Sequence, residues 1–249
     1  MLAINRHEKI LEWLDEFRSV KVSELSGKLG VTEKTVRDDL EKLEQRGLLR
    51  RIHGGAVPAG KGNAALLPLD GREAAQEEKR DIARKAVALI AERDIIALDG
   101  GSTTLEIARM LDNRALTVIT HDLLIIAELT RKDRIRLVVP GGYRSRNLLI
   151  GAEGVDFVAR LNIAKSFISA TAVDVEYGLS VFTSGQIPMK QVLIRGATEA
   201  YAVADHTKFN KKALITFAEL SQLTGVITDK RMDTATARQY EAAGVRIVQ

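Results

Sequence analysis

The chain has 249 residues, 45% hydrophobic and 28% charged, with 37 Lys and Arg against 33 Asp and Glu for a formal net charge of +4; that is the profile of a soluble chain able to form one large domain, or a small and a medium one. It has no cysteine, which excludes disulfides, thiolate metal sites and a cysteine nucleophile, and its histidines, His7, His53, His121 and His206, are scattered, so neither a metal nor a cofactor is expected. No apolar run nears the ~20 residues of a membrane span and residues 1–9 hold no apolar leader, so the expected setting is the cytoplasm, away from membranes.

Over residues 5–18, Ile10, Leu11, Leu14 and Phe17 recur at helical spacing, and Asn5 with Glu8 has the form of a capping box. Val20, Lys21 and Val22 read as an extended link, and Ser23 as the cap of a helix ending at Leu29. Gly30 and Val31 make the next break, and Thr32 is placed to cap a third helix running to about Gln45. Two short helices joined by a tight glycine-containing turn form a helix-turn-helix, whose second helix enters the DNA major groove N-terminus first. Val36, Leu40 and Leu43 form the buried stripe of that helix, leaving Glu33, Lys34, Arg37 and Asp38 outward. Lys34 and Arg37 then face bases or phosphates, and the hydroxyls of Thr32 and Thr35 face phosphate oxygens. After Gly47, residues 48–53 alternate apolar and basic side chains before Gly54 and Gly55. This pattern predicts a two-stranded wing presenting Arg50, Arg51 and His53 to the DNA backbone. Placement carries the reading, because residues 1–57 hold eleven Lys and Arg against ten acids.

The run Val31-Thr32-Glu33-Lys34-Thr35-Val36-Arg37-Asp38-Asp39-Leu40, then Leu43-Glu44, Gly47 and Arg51-Ile52-His53-Gly54-Gly55-Ala56, closely resembles the DNA-binding signature of the DeoR family of bacterial transcription regulators. One residue departs from it. Asp38 stands where the family has a second arginine, which removes a cation and places an anion at the groove, while Arg37 is kept.

Pro58, Gly60, Gly62, Asn63 and Pro68 interrupt any period. Residues 58–75 are therefore expected to link a winged helix-turn-helix domain, 1–57, to a second domain, 76–249. A helical period resumes near Glu77 with Ile82, Ala86, Leu89 and Ile90. Short apolar runs at 95–99, 116–120, 135–139, 165–169, 200–204, 226–228 and 245–248 follow, several separated by helical segments. That alternation predicts a Rossmann-like, mostly parallel α/β domain with its ligand at the carboxyl ends of the strands.

Asp99-Gly100-Gly101-Ser102-Thr103-Thr104 joins a strand to a helix. The glycines let backbone N–H groups approach an anion, and the hydroxyls and helix N-terminus add donors, so the loop is a candidate phosphate cradle. It has neither the lysine of a P-loop nor the third glycine of a dinucleotide fingerprint, which disfavours a nucleotide. Thr120-His121-Asp122 and Pro140-Gly141-Gly142 end the next two strands.

With Gly151, Asp174, Gly178-Leu179, Lys190 and Ala204-Asp205-His206-Thr207-Lys208-Phe209, these segments resemble the DeoR-family sensor domain, which is related to ribose-5-phosphate isomerase and binds phosphorylated sugars. The resemblance implies that Ser102, Thr103 and Thr104 hold the phosphate, with Asp99, Gly100 and Gly101 beneath it. It also implies that His121, Gly141, Gly142, Asp174 and Lys190 line the rest of the site, with Lys208 a further cation. Two features depart from the family: His121 replaces a common asparagine, and the acids usual before the lysine are missing, since no acid lies between Glu176 and Glu199. The implied function is a repressor of a carbohydrate-metabolism operon, a homodimer or homotetramer that binds double-stranded operator DNA and is released by a phosphorylated sugar or related metabolite. The same parts would serve an activator. An isomerase-type enzyme would draw its acid and base from Asp174, Glu176 and Lys190.

Overall fold

The structure, a computed structural model, describes residues 2–17, 19–45, 48–58 and 75–249. The expected linker falls almost wholly outside the described residues, as does the break at Gly47. The chain divides into two compact units, Met1–Ala74 and Ala75–Gln249.

The first unit runs α1 (Ala3–Phe17), β1 (Val20–Lys21), α2 (Val22–Leu29), α3 (Glu33–Gln45), β2 (Leu49–Ile52) and β3 (Gly55–Pro58). Ile10, Leu11 and Leu14 of α1 bury together with Leu25, Leu29, Val36, Leu40 and Leu43, each contributing about 1.5–3 kcal/mol through the area removed from water. Gly30 ends α2 in the left-handed conformation, φ 64°, and Thr32 caps α3 by accepting from the Thr35 N–H at 3.2 Å. Helix, turn and helix therefore follow the sequence pattern.

Two expected caps do not form. The Arg6 N–H already bonds the Leu2 carbonyl at 3.2 Å, so α1 begins upstream and Asn5 lies inside it. Ser23 lies within the first turn of α2, because Val20 and Lys21 pair with Ala56 and Gly55 of β3 and the Val22 N–H bonds the Gly54 carbonyl at 2.9 Å. The chain thus enters α2 directly from the wing sheet, whose strand order is β1-β3-β2.

The second unit begins with α4 (Gln76–Ala88), β4 (Ile95–Leu98), α5 (Ser102–Met110), β5 (Leu116–Thr120), α6 (Leu123–Leu129) and β6 (Ile135–Val138). A hairpin of β7 (Tyr143–Ser145) and β8 (Leu148–Ile150) precedes α7 (Ala152–Val158), β9 (Ile163–Ser169), β10 (Ala172–Asp174), β11 (Gly178–Val181) and α8 (Ile187–Arg195). The chain closes with β12 (Ala197–Val203), β13 (Ile215–Ala218), β14 (Gly225–Ile227), α9 (Thr234–Ala242) and β15 (Ile247–Val248).

Every predicted apolar run contributes to one seven-stranded sheet, ordered β15-β14-β12-β9-β4-β5-β6, and all its pairings are parallel. Alternation along the strands divides the core in two. Ile96, Leu98, Phe167, Tyr201 and Ile227 pack with α4, α5 and α6, while Ala97, Ile168, Ala202 and Val226 pack with α7, α8 and α9. The small antiparallel sheet β10-β11-β13 covers part of the second face through Val173, Leu179 and Phe217. Lys132 caps α5 by donating to the Ala108, Arg109 and Leu111 carbonyls at 2.6, 3.1 and 2.8 Å, which satisfies acceptors that a helix end leaves open.

Candidate DNA-reading surface and effector site

In the first unit, α3 buries Val36, Asp39, Leu40 and Leu43 and exposes Lys34, Arg37 and Asp38. Arg37 pairs with Glu33 one turn earlier at 2.5 Å. Arg51 gives its backbone N–H and its Nε to the two Glu44 oxygens, each at 2.7 Å; those bonds hold the Glu44 carboxyl below the usual carboxylate range. A cleft of about 430 Å³ opens between α3 and the wing, lined by Arg37, Leu40, Glu44, Arg51, Ile52 and His53 among others.

Three of the expected DNA contacts, Arg37, Arg51 and His53, therefore gather at one cleft. Lys34 lies on the outward face of α3. Arg50 is exposed and, by strand alternation, faces the opposite side of the wing from Arg51. The Thr32 oxygen is committed to the helix cap, 2.9 Å from the Thr35 hydroxyl and 3.2 Å from its N–H. Asp39 escaped the sequence reading. It is 1% exposed, and its Oδ2 accepts from Arg6 Nε at 2.7 Å while its Oδ1 lies 3.1 Å from a second Arg6 nitrogen and 3.0 Å from His7 Nε2. The reading helix is thereby tied to α1.

In the second unit, three strand ends, those of β4, β5 and β9, and the helix α8 converge on Asp99, which directly follows β4. Its Oδ2 accepts from Lys190 Nζ at 2.5 Å, the Ser169 N–H at 2.9 Å and the Ser169 hydroxyl at 2.8 Å. Lys190 also donates to the Ser169 carbonyl at 2.8 Å. Its ammonium lies 5.3 Å from the centre of the Phe217 ring. His121 Nε2 lies 3.9 Å from Asp99 Oδ1, and neither atom has a hydrogen-bond partner among the described residues although both are buried.

Burial opposes the charge on Asp99, but the attraction of Lys190 and then His121, with the Lys190 and Ser169 hydrogen bonds, outweighs it and holds the carboxyl below its ordinary range. Burial pushes the His121 imidazole below its ordinary value; Asp99 opposes that shift and Lys190 adds to it. The histidine is therefore neutral at pH 7 and Asp99 is an anion.

Gly100 and Gly101 follow, and both need to be small. A Cβ on Gly100 would lie 2.2 Å from Leu148 Cδ2, and one on Gly101 2.9 Å from Ser169 Cβ. Ser102 begins α5 half-buried, Thr103 and Thr104 are buried, and the Thr104 hydroxyl donates to the Gly101 carbonyl at 2.9 Å. The β7–β8 hairpin seats Leu148 here. It is held by the Leu149 N–H on the His121 carbonyl at 2.8 Å and by Asn147 Nδ2 on Asp122 Oδ2 at 2.6 Å.

Gly141 and Gly142, with φ of 84° and 117°, form the turn leading into that hairpin. The Asp174 carboxylate closes the β10–β11 turn, accepting from the Glu176 and Tyr177 N–H groups at 2.9 and 3.1 Å, and no contact among the described residues joins it to Asp99. Lys208 lies in the short turn after β12, half-buried. The cluster thus assembles Asp99, His121 and Lys190 beside the Gly100–Thr104 loop. Ser169 joins them; a serine ending a central apolar strand was the signal that could have found it.

Residues 6–60 match the family described as the DeoR-like helix-turn-helix domain, and residues 74–230 match the DeoR C terminal sensor domain. The chain belongs to the DeoR family. This DeoR-family chain is 32% identical to the HTH-type transcriptional regulator GlpR of Haloferax volcanii over 100% of its own length and 98% of that protein. It is 33% identical to the transcriptional repressor AccR of Agrobacterium fabrum over 90% of its length and 89% of that protein. The ribose 5-phosphate isomerase A structure from Methanocaldococcus jannaschii is similar at 19% identity and a TM-score of 0.43, over 55% of this chain and 56% of that one. As a DeoR-family transcription regulator the protein has DNA as its partner, and no helix among the described residues is long and apolar enough to cross a membrane.

Proposed function

We propose that this DeoR-family protein is a repressor of a carbohydrate-metabolism operon in the cytoplasm. It binds paired half-sites of double-stranded operator DNA as a homodimer or homotetramer and is released by a phosphorylated sugar. Residues 1–57 read DNA through Lys34, Arg37, Arg51 and His53, with Thr32, Thr35 and Arg50 toward the backbone. Residues 58–75 link them to the sensor, 76–249.

The observation that carries the effector reading is the pair of buried, unpartnered atoms, Asp99 Oδ1 and His121 Nε2, beside the N-terminus of α5. Buried polar groups are nearly always satisfied. Because the two atoms lie 3.9 Å apart, one hydroxyl oxygen can sit at hydrogen-bond distance from both, donating to the carboxylate and accepting from the imidazole. The first-turn N–H groups of α5, with Ser102, Thr103 and Thr104, then receive the phosphate over Gly100 and Gly101. Lys190 supports this site by holding Asp99, and Gly141 and Gly142 shape its hairpin.

Catalysis by the acid and base the sequence offered is disfavoured, because Lys190 is bound to Asp99 and Asp174 closes a turn. No metal or cofactor is needed. Near-complete switching requires the effector to prefer the DNA-free conformer by about 5 kcal/mol.

A gel-shift titration of the full chain on its own promoter region, repeated with a panel of sugar phosphates and the parent sugars, tests this reading. Binding at low salt and release by a phosphorylated sugar but not by its parent are expected. No binding at low salt, or release by none of the phosphates, overturns it.

A further inference from the structure

Glu33, Asp38 and Glu44 are three of the acids of α3, and they differ in company. Glu33 holds Arg37 and Glu44 holds Arg51, so each of these two orients a cation. Asp38 is exposed and makes no hydrogen bond or ion pair with any described residue. It lies in the second turn of α3, opposite the buried stripe of Val36, Asp39, Leu40 and Leu43 and one turn beyond Lys34. The leading turns of such a helix are the part that meets base edges.

An unpaired carboxylate in that position is repelled by phosphates and by every acceptor on the groove floor. Guanine presents two acceptors there, thymine an acceptor and a methyl group, and adenine an amino group directly beside the N7 acceptor. Cytosine alone presents an amino donor with no acceptor on the same base edge. The guanine paired with it offers O6 and N7 to a neighbouring cation such as Lys34.

We propose that Asp38 is a specificity-determining residue of α3 that reads a cytosine at one fixed position in each half-site by accepting a hydrogen bond from its N4 amino group. The inference rests on α3 being the base-reading helix.

The test passes full-length wild type, Asp38→Ala and Asp38→Asn through selection from a randomised duplex pool with sequencing, followed by affinities on the selected site. Wild type is expected to fix a cytosine at one position per half-site, with about tenfold or greater loss when another base replaces it. Asp38→Ala accepts any base at that position and keeps the rest of the site. Asp38→Asn moves the preference to adenine, whose N6 and N7 match an amide. Both variants should melt as wild type does, since Asp38 is exposed.

Asp38→Ala that still selects the cytosine overturns the proposal. So does Asp38→Ala that binds every sequence more tightly with an unchanged site, because the carboxylate then only repels phosphates. Failure of wild type to enrich any sequence overturns the reading of α3 itself.

Discussion

Two buried carboxylates, one in each unit, have opposite settings. Asp39 has a partner on both oxygens, through Arg6 and His7. Asp99 has one oxygen crowded by Lys190 and Ser169 and the other bare beside an equally bare His121 nitrogen. A satisfied buried ion pair fixes how two elements sit, here α1 against α3, and asks for nothing more. A half-satisfied one leaves a polar atom without a hydrogen bond, which is costly when buried. Burial is thus common to the two acids; the open lone pairs of Asp99 are what set it apart.

Lys190→Met should have the largest effect. It strands Asp99 without its cation at a fully buried position, a loss of about 3–5 kcal/mol, read as a lower melting temperature of the full chain. Melting like wild type would show that Asp99 does not depend on Lys190. Asp39→Ala should cost less, about 1–3 kcal/mol, because Arg6 keeps a route to water at 13% side-chain exposure. A loss equal to that of Lys190→Met would erase the contrast between the two sites.

A third effect depends on pH. The folded state holds His121 below its ordinary value, so the unfolded chain takes up that proton first, near pH 6.5. The stability contribution is complete above about pH 6.5 and falls as the solution becomes more acid. Asp99, also held low, contributes above about pH 4 and loses its contribution below that. Melting curves of His121→Asn should therefore lack the decline that starts near pH 6.5 and keep the one that starts near pH 4; superimposable profiles would refute the assignment. The smallest effect is expected for Glu44→Ala. It leaves the melting temperature unchanged, because the pair with Arg51 is exposed, and weakens operator binding several-fold by releasing Arg51 from its cleft-facing position.

Much of this was legible in the residues. All seven strands of the large sheet were marked by short, largely apolar runs, which is how strands covered on both faces read. Gly30 and Thr32 marked the turn and the cap of α3. The β7–β8 hairpin and the β10-β11-β13 sheet were not legible, because their strands span only three or four residues and Tyr143, Arg144 and Ser145 are all exposed, leaving no alternation to detect. Asp39 was hidden for a related reason. Within the apolar stripe of α3 an acid reads as solvent-facing until Arg6 and His7, more than thirty residues away, are seen beside it. Among the proposed effector residues, position along the chain placed Asp99 and His121 at strand ends and the family resemblance alone singled out Lys190, but neither could show that Asp174 closes a turn.

The large sheet also sets an order of events during synthesis. One of its central pairings joins β4 to β9, as in Ile96 with Lys165 and Leu98 with Phe167, across four intervening strands and their helices. Parallel pairing over so long a stretch waits on loop closure and is slow. The described pairings and buried contacts of the first unit lie within residues 2–58. On a chain that emerges N-terminus first, DNA-reading competence should therefore precede effector competence.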